Sequence, residues 1–285
     1  MRTITSLSKA IEDLSEEERL VFHSIFSVES ETTHTSIPEA LKARVQGWFA
    51  LPGDESPKDA LQRAETQVVI RVHNKVTHEH TLFNSVRALK PAPTVSANSD
   101  ADMDELIFKN KLDGTCDFCE PAERTATERW GRVDSAYTIT AANIARGEAH
   151  HGLCILKEHH PLRFGLDVVA DILATFNKWK LRTTENIMKP DPKIPQESIR
   201  PIPTCATLMW NCMPKSGASQ PHGHAQMVLT RDYLGKANAL RSCTAAYTSV
   251  AGLQGVTEYM FQWVRAHNSL GLVRHLSGGM AVVTT

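Results

Sequence analysis

Apolar positions recur at helical spacing through the first part of the chain. In SLSKAIEDLSEEERLVFHSIF (6–26), Leu7, Ile11, Leu14, Leu20 and Phe22 sit among charged residues in a rhythm that predicts a helix. PEALKARVQGWFAL (38–51), with Pro38 in the first turn, predicts another, and SPKDALQRAETQ (56–67) a third, with Ser56 as its cap and Pro57 inside. The first eighty residues are therefore expected to be mainly helical, followed from QVVIRV (67–72) by a β-branched strand. PAPTVSANSDADMD (91–104) has the polar, Pro and Ser content of a linker.

Beyond that linker the pattern changes. AYTIT (136–140) and GLCILK (152–157) read as two strands joined by a loop short enough for an antiparallel pair. A long helix follows, with Val168, Ile172, Leu173, Phe176 and Trp179 at spacings of three and four. Strand signals return at 205–213 and 224–230, a helical run fills 233–253, and GMAVVT (279–284) is extended again. The order predicts an α+β fold: an antiparallel sheet with helices packed on one face, preceded by the helical N-terminal region.

Length and charge narrow the function classes. With 285 residues, 41% hydrophobic and 22% charged, the chain can bury a core of its own. Lys+Arg 31 against Asp+Glu 32 leaves a net charge of -1, which argues against a nucleic-acid polymer or an anionic membrane as partner. No apolar stretch approaches the roughly 18 residues of a spanning helix. The N-terminus turns acidic by Glu12 and Asp13 without an apolar core, so a cytoplasmic protein without a presequence is expected. Six cysteines are too sparse for a disulfide scaffold.

The chemistry concentrates in NCMPKSGASQPHGHAQ (211–226). If His222-x-His224-x-Gln226 is extended, both histidines and the glutamine project to one face and converge on one ligand. The small residues before it, 216–219, let backbone N–H groups approach a phosphate, with the Ser219 hydroxyl as a further donor. A neutral imidazole beside such an anion cradle can attack phosphorus and hold the phosphoryl group covalently. The plainer alternative is a polar turn with two surface histidines. A second motif, Cys116-Asp-Phe-Cys119, is either half of a zinc site or a redox pair; Gly114 and Pro121 place it in a loop rather than at a helix start, which is against the redox reading.

The string SGASQPHGHAQ resembles the active-site motif of the galactose-1-phosphate uridylyltransferase family, a branch of the histidine triad superfamily that includes dinucleotide and ADP-sugar phosphorylases. The resemblance implies a histidine-triad-like nucleotidyl-transfer unit over 105–253. His224 would be the nucleophile that carries the nucleoside monophosphate, Gln226 and Ser219 phosphate partners in catalysis, and Asn211, Gly217 and Ala218 substrate contacts. It also implies a Cys₂His₂ structural zinc completed by His160, in GLCILKEHHP, and by His222. LFNSVRALKP (82–91) resembles the family's basic N-terminal segment, which makes Arg87 a phosphate contact within a connecting stretch, 81–104; an exposed arginine in a turn is the alternative. The expected substrate is a small nucleotide, of galactose metabolism or of the phosphorylase branch, with hydrolysis and a catalytically inactive zinc-stabilised nucleotide-binding protein as the other outcomes. Family members form homodimers. They also carry two copies of the core unit, and SGGMAVVTT faintly echoes HHGLCILKE, so 254–285 is expected as the start of a truncated second copy.

Overall fold

The structure is a computed structural model that describes residues 4–89, 107–108, 111–189, 202–203, 205–213, 216, 218–231, 235–251, 255–269, 273–275 and 281–283. Helices and antiparallel sheets are both present, and the fold is α+β.

The helices expected over 38–51 and 56–67 form near those bounds, whereas the single helix expected over 6–26 is broken into two between Glu12 and Glu16. After α1 (Leu7–Glu12), α2 (Glu16–Ile25) is started by Ser15, whose hydroxyl accepts from the Glu18 backbone N–H while the Glu18 carboxylate accepts from the Ser15 N–H at 3.0 Å. Next come α3 (Glu39–Phe49) and α4 (Pro57–Glu65); α4 has the same reciprocal cap, made by Ser56 and Asp59. Leu41, Val45, Phe49, Ala60 and Ala64 bury one face of the α3/α4 pair.

Strands stand beside these helices, two of them without a counterpart in the sequence expectation. This region carries β1 (Phe26–Ser36), β2 (Thr66–Asn74) and β3 (His80–Phe83), joined with β4 (Thr127–Glu128) into a sheet of order β3-β2-β1-β4. FSVESETTHTS has no alternating apolar face, so nothing local marks β1 as a strand. It is held by continuous antiparallel pairing with β2, from Phe26↔Asn74 to His34↔Thr66. The expected connecting stretch 81–104 begins with the rest of β3 and with α5 (Ser85–Leu89), while 90–104 lies outside the described residues.

The second sheet comprises β5 (Thr138–Ala142), β6 (His150–Leu156), β7 (Cys205–Met209) and β8 (His224–Thr230), in the order β5-β6-β8-β7 with every pairing antiparallel. A short helix, α6 (Pro121–Arg124), precedes β4. The long helix α7 (Leu166–Met188) crosses one face of this sheet and packs on Cys154, Leu156, Ala225, Met227 and Leu229. Of its predicted apolar face, Ile172 and Trp179 are buried, Val168 and Phe176 partly so, and Leu173 faces out; Thr175 and Thr183 complete the buried stripe. Thr175 finds a partner on the sheet, the Thr138 hydroxyl 2.8 Å from its own. Downstream lie α8 (Gly235–Ala251), α9 (Gly255–Asn268) and the pair β9 (Val273–His275) and β10 (Ala281–Val283). No helix among the described residues is long and apolar enough to cross a membrane.

Alternation along β6 and β8 separates two roles. Gly152, Cys154 and Leu156 face α7, and the residues between them, His151, Leu153 and Ile155, face the other way. In β8, Ala225, Met227 and Leu229 face α7, which turns His224, Gln226 and Val228 to the opposite side. Gly152 is required by the first role. A Cβ there would lie 2.6 Å from Trp179 Nε1 and 2.8 Å from Cε2. We expect Gly152→Ala to destabilise the protein by about 1–3 kcal/mol through overpacking. Denaturant unfolding should also show that Trp179→Phe recovers part of that loss, so that the two changes are less than additive.

Candidate functional site

Two clusters lie on the face of the second sheet opposite α7 and at the ends of its strands. The first is built on the loop that holds Cys116 and Cys119. Gly114 enters it with φ 65°, a left-handed conformation that glycine adopts without a side-chain clash. A 3-10 turn, Asp117–Cys119, then closes the cysteines together. Between them, Asp117 receives a two-pronged ion pair from Arg44 of α3, one prong at 2.7 Å, which braces the loop against the N-terminal region.

His159 and His222 complete this group. Cys116 Sγ lies 3.3 Å from His222 Nδ1, and Cys119 Sγ lies 3.2 Å from His159 Nδ1 and 3.7 Å from His222 Nδ1. The two Nδ1 atoms are 3.1 Å apart. Each ring donates through Nε2 to a backbone carbonyl, His159 to Ile107 at 2.5 Å and His222 to Leu156 at 2.7 Å. A carbonyl can only accept, so both neutral rings carry their proton on Nε2 and turn an Nδ1 lone pair inward. The two Nδ1 lone pairs face one another, and each sulfur lies within hydrogen-bond reach of one of them, an arrangement that thiol protons or a shared cation satisfies. A tetrahedral ion with bonds of about 2.0–2.1 Å to nitrogen and 2.3 Å to sulfur places its donors roughly 3.3–3.8 Å apart; four of the six pairs here lie at 3.1–3.7 Å, and all lie within 4.8 Å. The four side chains thus fit a metal ion, with the carbonyls fixing the tautomer in the manner usual for ligating histidines.

Electrostatics points the same way. Burial, helped by the neighbouring Cys119, pushes the Cys116 thiol up to about 12, so ionising that sulfur calls for a compensating positive charge. Burial pushes His222 down to about 4, against the opposing effect of the Leu156 carbonyl, and it lowers His159 as well. Both rings are therefore neutral near pH 7, the form that ligates.

One expected ligand is replaced. His160 is the position implied by the resemblance; the structure puts His159 there. The site-facing residues of β6 are the odd-numbered ones, His151, Leu153 and Ile155, and His159 keeps that parity through the bends at 157–160. His160 instead accepts from the Leu162 backbone N–H through Nδ1 at 3.2 Å and stands beside Phe108.

The second cluster surrounds His224. Its Nδ1 lies 2.9 Å from the His222 carbonyl, which assigns the proton to Nδ1 and the lone pair to Nε2. The ring is 4% exposed and meets Phe118 edge-on, with centroids 5.0 Å apart. Gln226 follows on the same face, and its Oε1 lies 2.6 Å from His151 Nε2 and 3.3 Å from Asn143 Nδ2. Neither His151 nor Asn143 was assigned a role from the sequence. The available signal was the position of His151 two and four residues before Leu153 and Ile155, on the same strand face.

The other expected contacts divide. Arg87 is exposed on α5 and donates from Nη1 to the Ala145 carbonyl at 2.9 Å; the same nitrogen and His151 Nδ1 both border Gly147, so Arg87 is brought to the edge of the second cluster. Asn211 is half-buried just beyond β7, and Ser219 is exposed in the loop before Pro221. Among the described contacts, none joins Asn211 or Ser219 to His224. The loop's amides turn partly inward: the N–H groups of Ser216 and Ala218 both donate to the carbonyl of Met213, which itself has φ 73°. Gly217 lies outside the described residues.

No protein-family model and no curated protein matches this chain. Among solved structures it is similar to a hypothetical protein from Leishmania major, with 13% identity, 53% of this chain and 100% of that chain covered, and a TM-score of 0.28. A likeness that slight carries no argument.

The ligand set makes a sharp prediction. His159→Ala should lose bound metal and thermal stability together, as should Cys116→Ser, because metal binding to such a site is coupled to folding. His160→Ala and Cys154→Ser should keep the metal. Elemental analysis of the purified variants checks both halves.

Proposed function

We propose that the protein is a nucleotidyltransferase in which His224 carries a nucleoside monophosphate between a nucleotide-sugar or dinucleotide donor and a phosphate-bearing acceptor. The observation that supports this reading best is the tautomer of His224: with Nδ1–H held by the His222 carbonyl, the nucleophilic lone pair is on Nε2. In the first step Nε2 attacks the α-phosphorus, an N–P bond forms, and the P–O bond to the leaving phosphate or sugar phosphate breaks. The ring becomes cationic, and the same carbonyl stabilises its Nδ1–H. In the second step a phosphate oxygen of the acceptor attacks phosphorus and the N–P bond breaks, restoring the neutral imidazole. Phosphorolysis and hydrolysis differ only in the acceptor, inorganic phosphate or water.

We read the ion at Cys116, Cys119, His159 and His222 as zinc with a structural role. Four side-chain donors satisfy a tetrahedral ion, which when bound would tie the cysteine loop to the strand that holds His224. The substrate is a small nucleotide rather than a nucleic acid, in keeping with the near-neutral charge, and the resembling family suggests a homodimer.

A second reading, a metal-stabilised nucleotide-binding protein without catalysis, is favoured by one observation: His224 is buried against Phe118. Mixing the metal-loaded protein with UDP-sugars, ADP-sugars or diadenosine polyphosphates and measuring intact mass separates the two. The transferase should gain one nucleoside monophosphate in an acid-labile, alkali-stable linkage. His224→Gly should abolish the adduct with metal retained, and Gln226→Ala should slow its formation about 10²-fold. A folded, metal-replete wild type that forms no adduct with any donor belongs to the second reading.

A further inference from the structure

Gln226 is held in one orientation by a relay that begins at two backbone N–H groups. Gly147 N–H donates to His151 Nδ1 at 3.0 Å. A backbone N–H cannot reverse its role, so Nδ1 bears the lone pair and the neutral His151 ring carries its proton on Nε2. That Nε2–H points at Gln226 at 2.6 Å and needs an acceptor, so the atom there is the carboxamide oxygen. Asn143 repeats the logic. Ala145 N–H donates to Asn143 Oδ1 at 3.0 Å, which turns the Asn143 NH₂ group toward the same Gln226 oxygen, at 3.3 Å. Both donors converge on one atom, which accounts for their own 3.2 Å separation. Among the described residues, every hydrogen bond of the Gln226 side chain runs through Oε1, so its NH₂ group is left to donate to a ligand.

From this geometry we propose that His151, together with Asn143, is a positioning residue that locks Gln226 as a hydrogen-bond donor and so commits that subsite to an oxyanion. The inference rests on the transfer reading, in which the phosphoryl oxygens carried by His224 meet Gln226. His151 touches no reacting atom; it acts by preventing the carboxamide from turning its oxygen to the phosphate. A freely rotating glutamine would present the repulsive face part of the time, and the rate of adduct formation would fall accordingly.

The test has one readout that is independent of activity. Long-range ¹H–¹⁵N correlation spectra of the metal-loaded protein should show His151 as the Nε2–H tautomer, and the Nδ1–H tautomer would overturn the proposal. The second readout is a double-mutant cycle on the rate of adduct formation by intact mass, with the donor that labels wild type. His151→Phe should slow the reaction about 10- to 100-fold, and His151→Gln, which can accept from Gly147 and donate onward, should recover most of that loss. In a Gln226→Ala background, His151→Phe should cost little more. A loss as large in that background as in wild type would identify a general structural role and overturn the proposal. Should His151→Phe fail to fold, Asn143→Asp, which removes the second donor to Gln226, supplies the same cycle alone and with Gln226→Ala. A wild-type protein that forms no adduct overturns the transfer reading and this inference with it, whereas a normal adduct with the wrong tautomer or an additive cycle overturns this inference alone.

Discussion

The register of β6 on β8 is the constraint from which both clusters follow. Antiparallel pairing sets Ile155 opposite His224, Leu153 opposite Gln226 and His151 opposite Val228. That places His151 diagonally across from Gln226, within reach of its carboxamide. Just beyond the paired residues, Leu156 N–H donates to the Gly223 carbonyl and Gly223 N–H to the His159 carbonyl, which brings His159 and His222 to the same end. A slip of one residue would turn Ala225 and Met227 outward and drive His224 and Gln226 into the apolar layer beneath α7. The cost of burying those polar groups makes the register that fills the core the register that assembles the site.

The loop between β5 and β6 links this sheet to the N-terminal one through buried polar contacts. Arg146, 1% exposed, donates to Glu128 at 2.8 Å, to the Thr35 hydroxyl at 3.0 Å and to the Ala149 carbonyl at 2.8 Å. Gln67 donates to the Ile144 carbonyl and Asn84 to the Arg146 carbonyl, while Arg71 pairs with Glu148. Buried ion pairs contribute little net stability over apolar packing, yet removing one partner leaves an uncompensated charge. Such contacts therefore specify where the loop lies more than they strengthen the fold. Asn143, Ala145 and Gly147, whose groups orient Gln226, belong to that same loop.

What was legible in the sequence is what local periodicity controls. The capped helix α4, the β5/β6 pair and the strand from His224 through Gln226 each carry their own signal in spacing or caps, whereas His222 lies before the strand and turns to the other cluster instead of sharing its face. Strand β1 carries no such signal, because its polar Thr- and Ser-containing sequence is held by β2, forty residues away. The cysteine pair could be read as half of a metal site from spacing alone. The resemblance pointed to His160, whereas the alternation that puts His151, Leu153 and Ile155 on the site face continues to His159. His151 and Asn143 were hidden for another reason: their roles depend on which backbone N–H groups they meet, and that is a property of the folded loop.

His222 joins the two clusters through opposite ends of one residue. Its ring presents Nδ1 to the cysteines and anchors Nε2 on Leu156, while its carbonyl accepts the Nδ1–H of His224. Whatever fixes the ring therefore also fixes the peptide plane that sets the tautomer of the next histidine on that face. A cation held by the four ligands would order the loop, the strand end and the His222 backbone together, without contact to any reacting atom. The proximity of His222 and His224 in a three-residue segment is thus a physical coupling, in which one residue turns its ring to the first cluster and its carbonyl to the imidazole of the second.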